Sequence, residues 1–471
     1  KKLSINSSMN YSNEKNTNPP NIANQDNSIP TSVAVMANSM PWDLLDAKKY
    51  DPQGNEFVYS RFRNRTNPYF VLAEQFHNIS RDRMFGNIAL KYQLTDWLAL
   101  QGRVGQDYWS RDEDYNNFPT GQASLAPAPA GFVNGRYTQE ARRFREINKD
   151  FLLSGNKEFG NIGLDFSMGG NQMYRRSDLN STQVVDFVVR DKYTIMNGRV
   201  KDPIYDLQER AVNSVYGSAE ISYKGFLFLN ATARNDWFST LSPANRSILY
   251  PSISGSFVFS QAMKNSPDWL TFGKLRLAYA EVGSDLDVAP YSNSLFYGIN
   301  SNLFAGQPLG SSQGTTVPNP NLKPMSVAEK EAGIELKLFY NKIGLDLAAY
   351  NKITTDQIVS AQISDASGFV STLINSGQSR TRGFEWLLSL NPVNRGGFKW
   401  DINFNGSYNK TKLLSLLTDT PGERITTGTH IFNGELRQVV GQELGQLYGF
   451  GFRRDDKGNK VFGANGLPLR T

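Results

Sequence analysis

The sequence predicts an all-β fold, a transmembrane antiparallel β-barrel, on three observations. Apolar and polar residues alternate through many segments of about ten residues, the length of a spanning strand. The links between these segments are short and long by turns. Trp and Tyr collect beside the short links.

The composition fits that class. The chain has 471 residues, longer than an ordinary soluble domain of roughly 100–200. Mean hydropathy is −0.46, and no window approaches the roughly 18 consecutive apolar residues of a spanning helix. Yet aromatics reach 12% and there are 40 Gly. A barrel has this profile because each lipid-facing side chain is followed by a polar, lumen-facing one. There is no Cys, which excludes disulfides, thiol nucleophiles and Cys-based metal sites. The net charge of +6 is small for the length, and no long Lys/Arg block suggests nucleic acid as a partner.

Alternation is clearest in Asn161-Ile162-Gly163-Leu164-Asp165-Phe166-Ser167-Met168, with apolar residues on every even position. A strand sends alternate side chains to opposite faces, so the segment has one apolar and one wet face. The same parity puts Ile334, Leu336 and Leu338 against Glu335 and Lys337. It puts Phe384, Trp386 and Leu388 against Glu385 and Ser389, and Phe404 against Asn403 and Asn405. Asp165, Arg276, Glu335, Lys337, Asp346, Glu385 and Asp401 are expected to point into a polar lumen.

About 14 strands are expected, near 1–14, 82–94, 97–109, 138–154, 161–175, 209–223, 226–236, 249–262, 269–283, 327–340, 343–356, 378–390, 397–411 and 437–451. Short links such as Thr95-Asp96, Lys224-Gly225 and Asn341-Lys342 read as periplasmic turns. Long ones, near 15–81, 110–137, 176–208, 284–325 and 413–436, read as extracellular loops. Trp97, Trp269 and Trp400 start strands after short turns, and Tyr223 and Tyr340 end strands before them. All five suit a membrane interface, where an amphipathic ring is well placed. A soluble sandwich, propeller or solenoid would also alternate. Loops this long on one side only, with no fixed-period repeat, fit those folds poorly.

No enzyme signature is present. The only histidines are His77 and His430, and no H-E-x-x-H, G-x-S-x-G or Walker-type motif occurs. His77 reads as a loop residue. Asp112, Glu113 and Asp114 could hold Ca²⁺ through carboxylate oxygens, although a solvated charged loop explains them more simply. Asp455-Asp456-Lys457-Gly458-Asn459 faintly resembles a calcium loop, and an Asp/Gly/Asn turn gives the same string. No cofactor is therefore expected. Arg142, Arg143 and Arg145 could meet lipopolysaccharide phosphate or balance nearby acids.

Binding is left to the loops. Trp42, Trp109, Trp237, Tyr291 and Tyr297 are the candidate substrate-binding residues, because a flat ring stacks on a sugar face and packs against peptide side chains. Long loops also need apolar clusters of their own. Trp42, Leu44, Leu45, Phe296 and Leu303 could form a docking rim for a partner, where buried anchors carry most of the binding energy.

Several stretches, in order, resemble a known family. They are Tyr250-Pro251-Ser252-Ile253-Ser254, Lys274-Leu275-Arg276-Leu277-Ala278-Tyr279, and Pro318-Asn319-Pro320-Asn321-Leu322-Lys323-Pro324. Tyr350-Asn351-Lys352, Asn375-Ser376-Gly377, Arg382-Gly383-Phe384-Glu385 and Leu447-Tyr448-Gly449-Phe450 follow. The chain resembles the barrel of the starch-utilisation-system C (SusC/RagA-type) TonB-dependent transporters of Bacteroidota. That resemblance implies a 22-stranded outer-membrane barrel, of which this chain supplies part. The plug domain, TonB box, leader and closing strands are expected to lie outside residues 1–471. It also implies import of an oligosaccharide or oligopeptide. The implied partners are a SusD-like lipoprotein at the extracellular face and the TonB–ExbB–ExbD complex, acting through the plug. A protein-binding platform in the outer membrane is the alternative.

The topology is testable on intact cells. A tag at Gly54 is expected to be labelled by an impermeant reagent and one at Gly225 to stay dark. Labelling at Gly225 overturns the assignment of sides.

Overall fold

The computed structural model describes residues 2–20, 27–60, 66–124, 131–285, 288–312, 314–375, 377–416, 420, 422–429 and 434–470. His430 and Ser376 lie outside them. The main element is a 13-stranded sheet in which chain neighbours pair in sequence order. Its strands are β1 (Leu3–Thr17), β2 (His77–Gln93), β3 (Leu98–Phe118), β4 (Arg136–Phe159), β5 (Ile162–Phe187), β6 (Gly198–Tyr223) and β7 (Leu227–Phe238). They continue with β8 (Ser247–Phe257), β9 (Leu270–Ser284), β10 (Met325–Leu338), β11 (Ile343–Thr355), β12 (Gln378–Arg395) and β13 (Phe398–Ser415). Every pairing between them is antiparallel. No helix among the described residues is long and apolar enough to cross a membrane.

Thirteen of the expected strands are thus found in order. The fourteenth, expected near 437–451, is no strand of this sheet, although it touches the edge of β13 through an antiparallel bridge between Lys412 and Glu443. Glu435–Val439 instead pairs with Arg424–Thr429 and with Gln446–Tyr448 in a small sheet of its own. The cause is local: Gly441 and Gly445 have φ of +88° and +78°, a conformation open to Gly that turns the chain back.

Parity decides what each face meets. Ile162, Leu164, Phe166 and Met168 share the outer face of β5, and Asp165 and Ser167 the inner one. The register carries that division around the sheet, because directly paired residues lie on the same side. Ile88, Leu229, Ile253, Leu277 and Phe404 are all exposed on the outer face, which only a hydrocarbon surround makes favourable. The expected inward charges Asp165, Arg276, Glu335, Lys337, Asp346 and Glu385 all fall on the opposite face. At the turns, Trp97, Trp269, Tyr223 and Tyr340 are exposed, forming an interfacial girdle. Lys224 and Gly225 both have positive φ (+49° and +68°), the centre of a tight three-residue link that brings Leu227 back to pair with Tyr223.

The long strands correct the expected loops 110–137 and 176–208. β5 and β6 each run for 26 residues, far beyond the 9–11 that cross a bilayer. Above Gly170 the outer face of β5 turns polar, with Gln172, Tyr174, Arg176 and Asp178. In water neither face needs to be apolar, so alternation stops while the backbone ladder continues. Cross-strand polar contacts keep it in register. Arg175 donates to Glu146 at 2.7 Å, and Tyr174 to Glu209 at 2.6 Å.

The loops pack in small cores. Leu45, Phe70 and Val71 are buried between the short helices α1 (Ile29–Val35), α2 (Trp42–Ala47) and α3 (Pro68–Glu74). Asn67 caps α3 by accepting from the Tyr69 N–H, and it donates to the Leu45 carbonyl. Buried Glu56 accepts from the backbone N–H groups of Asn67 and Ala123, tying this loop to the next.

The outer face is expected to tolerate no charge. Leu336→Arg or Phe404→Arg should cost roughly 2–4 kcal/mol in a refolding titration in detergent or lipid, and Asn403→Arg far less. Equal losses would refute the assignment of faces.

Candidate functional site

The lumen face of the sheet carries a chain of charge pairs. Arg83 (β2) binds Asp107 (β3) through two hydrogen bonds of 2.9 and 2.6 Å. Arg103 (β3) reaches Asp150 (β4) at 2.9 Å, and Arg175 (β5) reaches Glu146 (β4). Arg276 (β9) spans two neighbours, donating to Glu331 on β10 at 3.3 Å and Asp346 on β11 at 2.7 Å. Gly333 makes the room: a Cβ there would lie 2.5 Å from the Arg276 guanidinium carbon. Such half-exposed pairs add little stability individually. Their consequence is a wall that offers both signs of charge, paired in places and like-charged in others, as where Asp165 stands opposite Glu220.

An aromatic step interrupts this wall. Trp109 stacks on Phe144 with ring centroids 5.3 Å apart and planes 10° apart. The Arg175 guanidinium lies 5.6 Å over the far ring. The register pairs Trp109 with Phe144, on the lumen side with Arg103 and Asp107.

A second node pins an extracellular segment inward. Asp285, fully buried just after β9, accepts from Thr240 at 2.5 Å and from Arg210 of β6. Burial pushes its carboxyl above the usual range, while Thr240 and Arg210 pull it back. Val288 and Leu322 pack beside it on Val212 and Phe238, which belong to the lumen face. The motif around Leu322 is closed by Asn375, which accepts from the Lys323 N–H and donates to the Lys323 carbonyl, each at 2.7 Å. Asn319 donates to the Leu373 carbonyl. Two stretches that stand out in the sequence, Pro318–Pro324 and Asn375–Gly377, are therefore one clamp.

The structure scatters the five candidate aromatics. Trp42 opens α2, exposed, edge-on to Tyr69 at 6.2 Å. Trp109 lies in a strand on the lumen wall. Trp237 lies in β7 on the outer face, because Arg234 and Asp236 take the inner positions. Tyr291 meets Phe296 at 6.0 Å, and Tyr297 begins an exposed hairpin, Tyr297–Phe304 with Gln307–Ser312. Leu45 is not a rim residue, being buried among the loop helices, whereas Trp42, Leu44, Phe296 and Leu303 are exposed. The charge chain and the Trp109–Phe144 step are missed by sequence reading. Their signal, inward charges and rings on neighbouring strands, becomes readable only once the register is known.

The metal candidates do not converge. Asp112 and Asp114 point outward and Glu113 inward. Glu113 holds His77 at 2.5 Å and Arg111 at 2.6 Å; His77 is the first residue of β2 rather than a loop residue. Asp455 closes an Asx turn by accepting from the N–H groups of Lys457 and Asn459. No group of three metal-ligating residues occurs among the described residues. Arg142 faces the lumen opposite Arg111, while Arg143 and Arg145 face outward.

The wall of an outer-membrane β-barrel is what this sheet defines. The model of the TonB dependent receptor-like, beta-barrel family matches residues 36–466, and the chain belongs to that family. Among curated relatives, the TonB-dependent receptor P26 of Formosa agariphila is 28% identical over 85% of this chain and 41% of its own length. The TonB-dependent receptor SusC of Bacteroides thetaiotaomicron is 21% identical over 86% and 40%. The structure is similar to that of the RagAB peptide transporter, with a TM-score of 0.70 and 17% identity over 86% of this chain and 44% of that one. The chain spans about two fifths of the length of the curated relatives it matches.

The Asp285 node is expected to hold the segment from 288 to 324. Asp285→Ala removes one partner of a buried pair, at a cost of about 3 kcal/mol. Hydrogen exchange should rise across that segment while β5 and β6 stay protected. Unchanged exchange there refutes the anchoring role.

Proposed function

We propose that this chain is barrel wall in a TonB-dependent importer of an oligosaccharide or oligopeptide, capped outside by a SusD-like lipoprotein. The observation that carries the reading is the lumen wall: a polar surface of charge pairs with a stacked aromatic step at Trp109 and Phe144. A polymer segment sliding inward needs many weak contacts and no strong one. Exchangeable charge pairs and a stacked ring provide that. The cap rests on the exposed apolar hairpin, in which Tyr297, Ile299, Leu303 and Phe304 all stand in water. Surface of that kind commonly marks a protein contact. In the transport reading no bond of the cargo changes. The wall binds and orients it, TonB pulling on the plug supplies the work, and no cofactor is required. That the similar RagAB structure is of a peptide transporter lends the peptide side some support.

The test uses the full-length protein in cells. Accumulation of a labelled oligomer should require the protein and collapse when the proton gradient is discharged. Trp109→Ala should raise the half-saturating concentration about fivefold, the loss of a contact of about 1 kcal/mol. Uptake that survives discharge of the gradient, or a co-purified partner with no uptake at all, favours the platform alternative.

A further inference from the structure

The outer face of β9–β13 has a second chemistry. Paired residues share a face, so the registers trace rows around the outside of the sheet. The row Leu277, Ala332, Ala349, Phe384 and Tyr408 is apolar apart from one hydroxyl, as are those beneath it. The next row up runs Tyr279, Lys330, Asn351, Arg382 and Lys410. Above that, Arg380 stands directly opposite Lys412. Lys330 is eight residues from Leu338 at the turn, about 20 Å up a tilted strand. That is close to the outer rim of an apolar band about 25 Å tall.

Four cations on the adjacent strands β12 and β13, with Lys330 one strand beyond Asn351 on β10, are an unfavourable arrangement. Strands lie about 4.8 Å apart, and like charges directly opposite repel. The acids nearby balance only one of them. Glu443 pairs with Lys410, and Glu281 accepts from the Tyr279 hydroxyl. Arg382 has a long contact to the Asn351 amide oxygen, 3.3 Å. Among the described residues, Lys330, Arg380, Arg382 and Lys412 have no carboxylate partner. Directly below the row lies a shallow groove lined by Ile253, Leu277, Tyr279, Lys330, Ala332 and Ala349. Its floor is low because Ala332 and Ala349 are small.

We propose that this face binds a phosphate-bearing lipid of the outer leaflet, a lipopolysaccharide-type glycolipid. Its phosphates sit on Lys330, Arg380, Arg382 and Lys412, and an acyl chain lies in the groove. An arginine fork meets a phosphate with two charge-assisted hydrogen bonds. A bound dianion turns the repulsion between the rows into attraction. The site has both requirements of an anionic amphiphile at one height: cations at the headgroup level and a trough beneath them.

The experiment is native mass spectrometry of the full-length protein in neutral detergent, titrated with diphosphorylated lipid A. The arms are dephosphorylated lipid A, phosphatidylethanolamine and inorganic phosphate. The wild type should retain diphosphorylated lipid A in preference to all three. Arg380→Gln/Arg382→Gln/Lys412→Gln should weaken retention at least about tenfold. Ala349→Trp, which fills the groove and keeps every cation, should weaken it too. Lys224→Gln, at the opposite end of the barrel, should leave retention intact. All variants should keep the fast mobility of a folded barrel on unheated gels. Equal retention by the triple variant overturns the proposal. So does equal retention of phosphatidylethanolamine, which would mean a nonspecific apolar belt, or of inorganic phosphate, which would mean a free-anion site.

Discussion

Hydrocarbon offers a backbone no hydrogen-bond partner, and the rest of this structure follows from that. Each N–H and C=O left unpaired in the bilayer costs several kcal/mol. A spanning strand must therefore pair along its length with both neighbours. Uninterrupted antiparallel pairing fixes register, and register fixes which side chains share a face. The outward apolar rows, the inward charge pairs and the rim of cations are all consequences of one parity carried from strand to strand. A slip of one residue in any pair would reverse it, putting Asp165 or Glu335 into lipid.

Beyond the membrane that constraint relaxes, and the chain uses other means. The extended parts of β3 to β6 are held by ladder bonds and polar cross-strand contacts. The connecting segments are fastened by a few buried polar groups, each satisfying backbone atoms that would otherwise be stranded. Glu56 joins the first loop to the second, Asp285 joins the segment after β9 to β6, and Asn375 closes on Lys323. Of these, the Asp285 anchor seats its segment on the lumen face of β6 and β7 rather than above it.

The strands near the short turns were legible because lipid imposes alternation on sequence. Where the outer face meets water the imprint fades, so the upper halves of β5 and β6 read as loops. The segment after β13 misled for a different reason. Glu435–Val439 and Gln446–Tyr448 have strand-forming composition, and nothing local says which sheet they join; the glycines between them decide it. Trp109 and Trp237 show the same limit at the site. Both are tryptophans at the edge of a predicted loop, yet one faces the lumen and the other lies outside.

By itself the sequence determined the class of fold and which residues near the short turns fall on the apolar or the polar face. These properties repeat along the chain and need only local periodicity. The tertiary structure decided what depends on several strands at once. Arg276 bridges to Glu331 and Asp346, Trp109 meets Phe144, and Lys330, Arg382 and Lys410 form one row. The residues of each group are distant in sequence and become neighbours only through register. A charge says nothing about its partner until the hydrogen-bond ladder sets the two strands side by side.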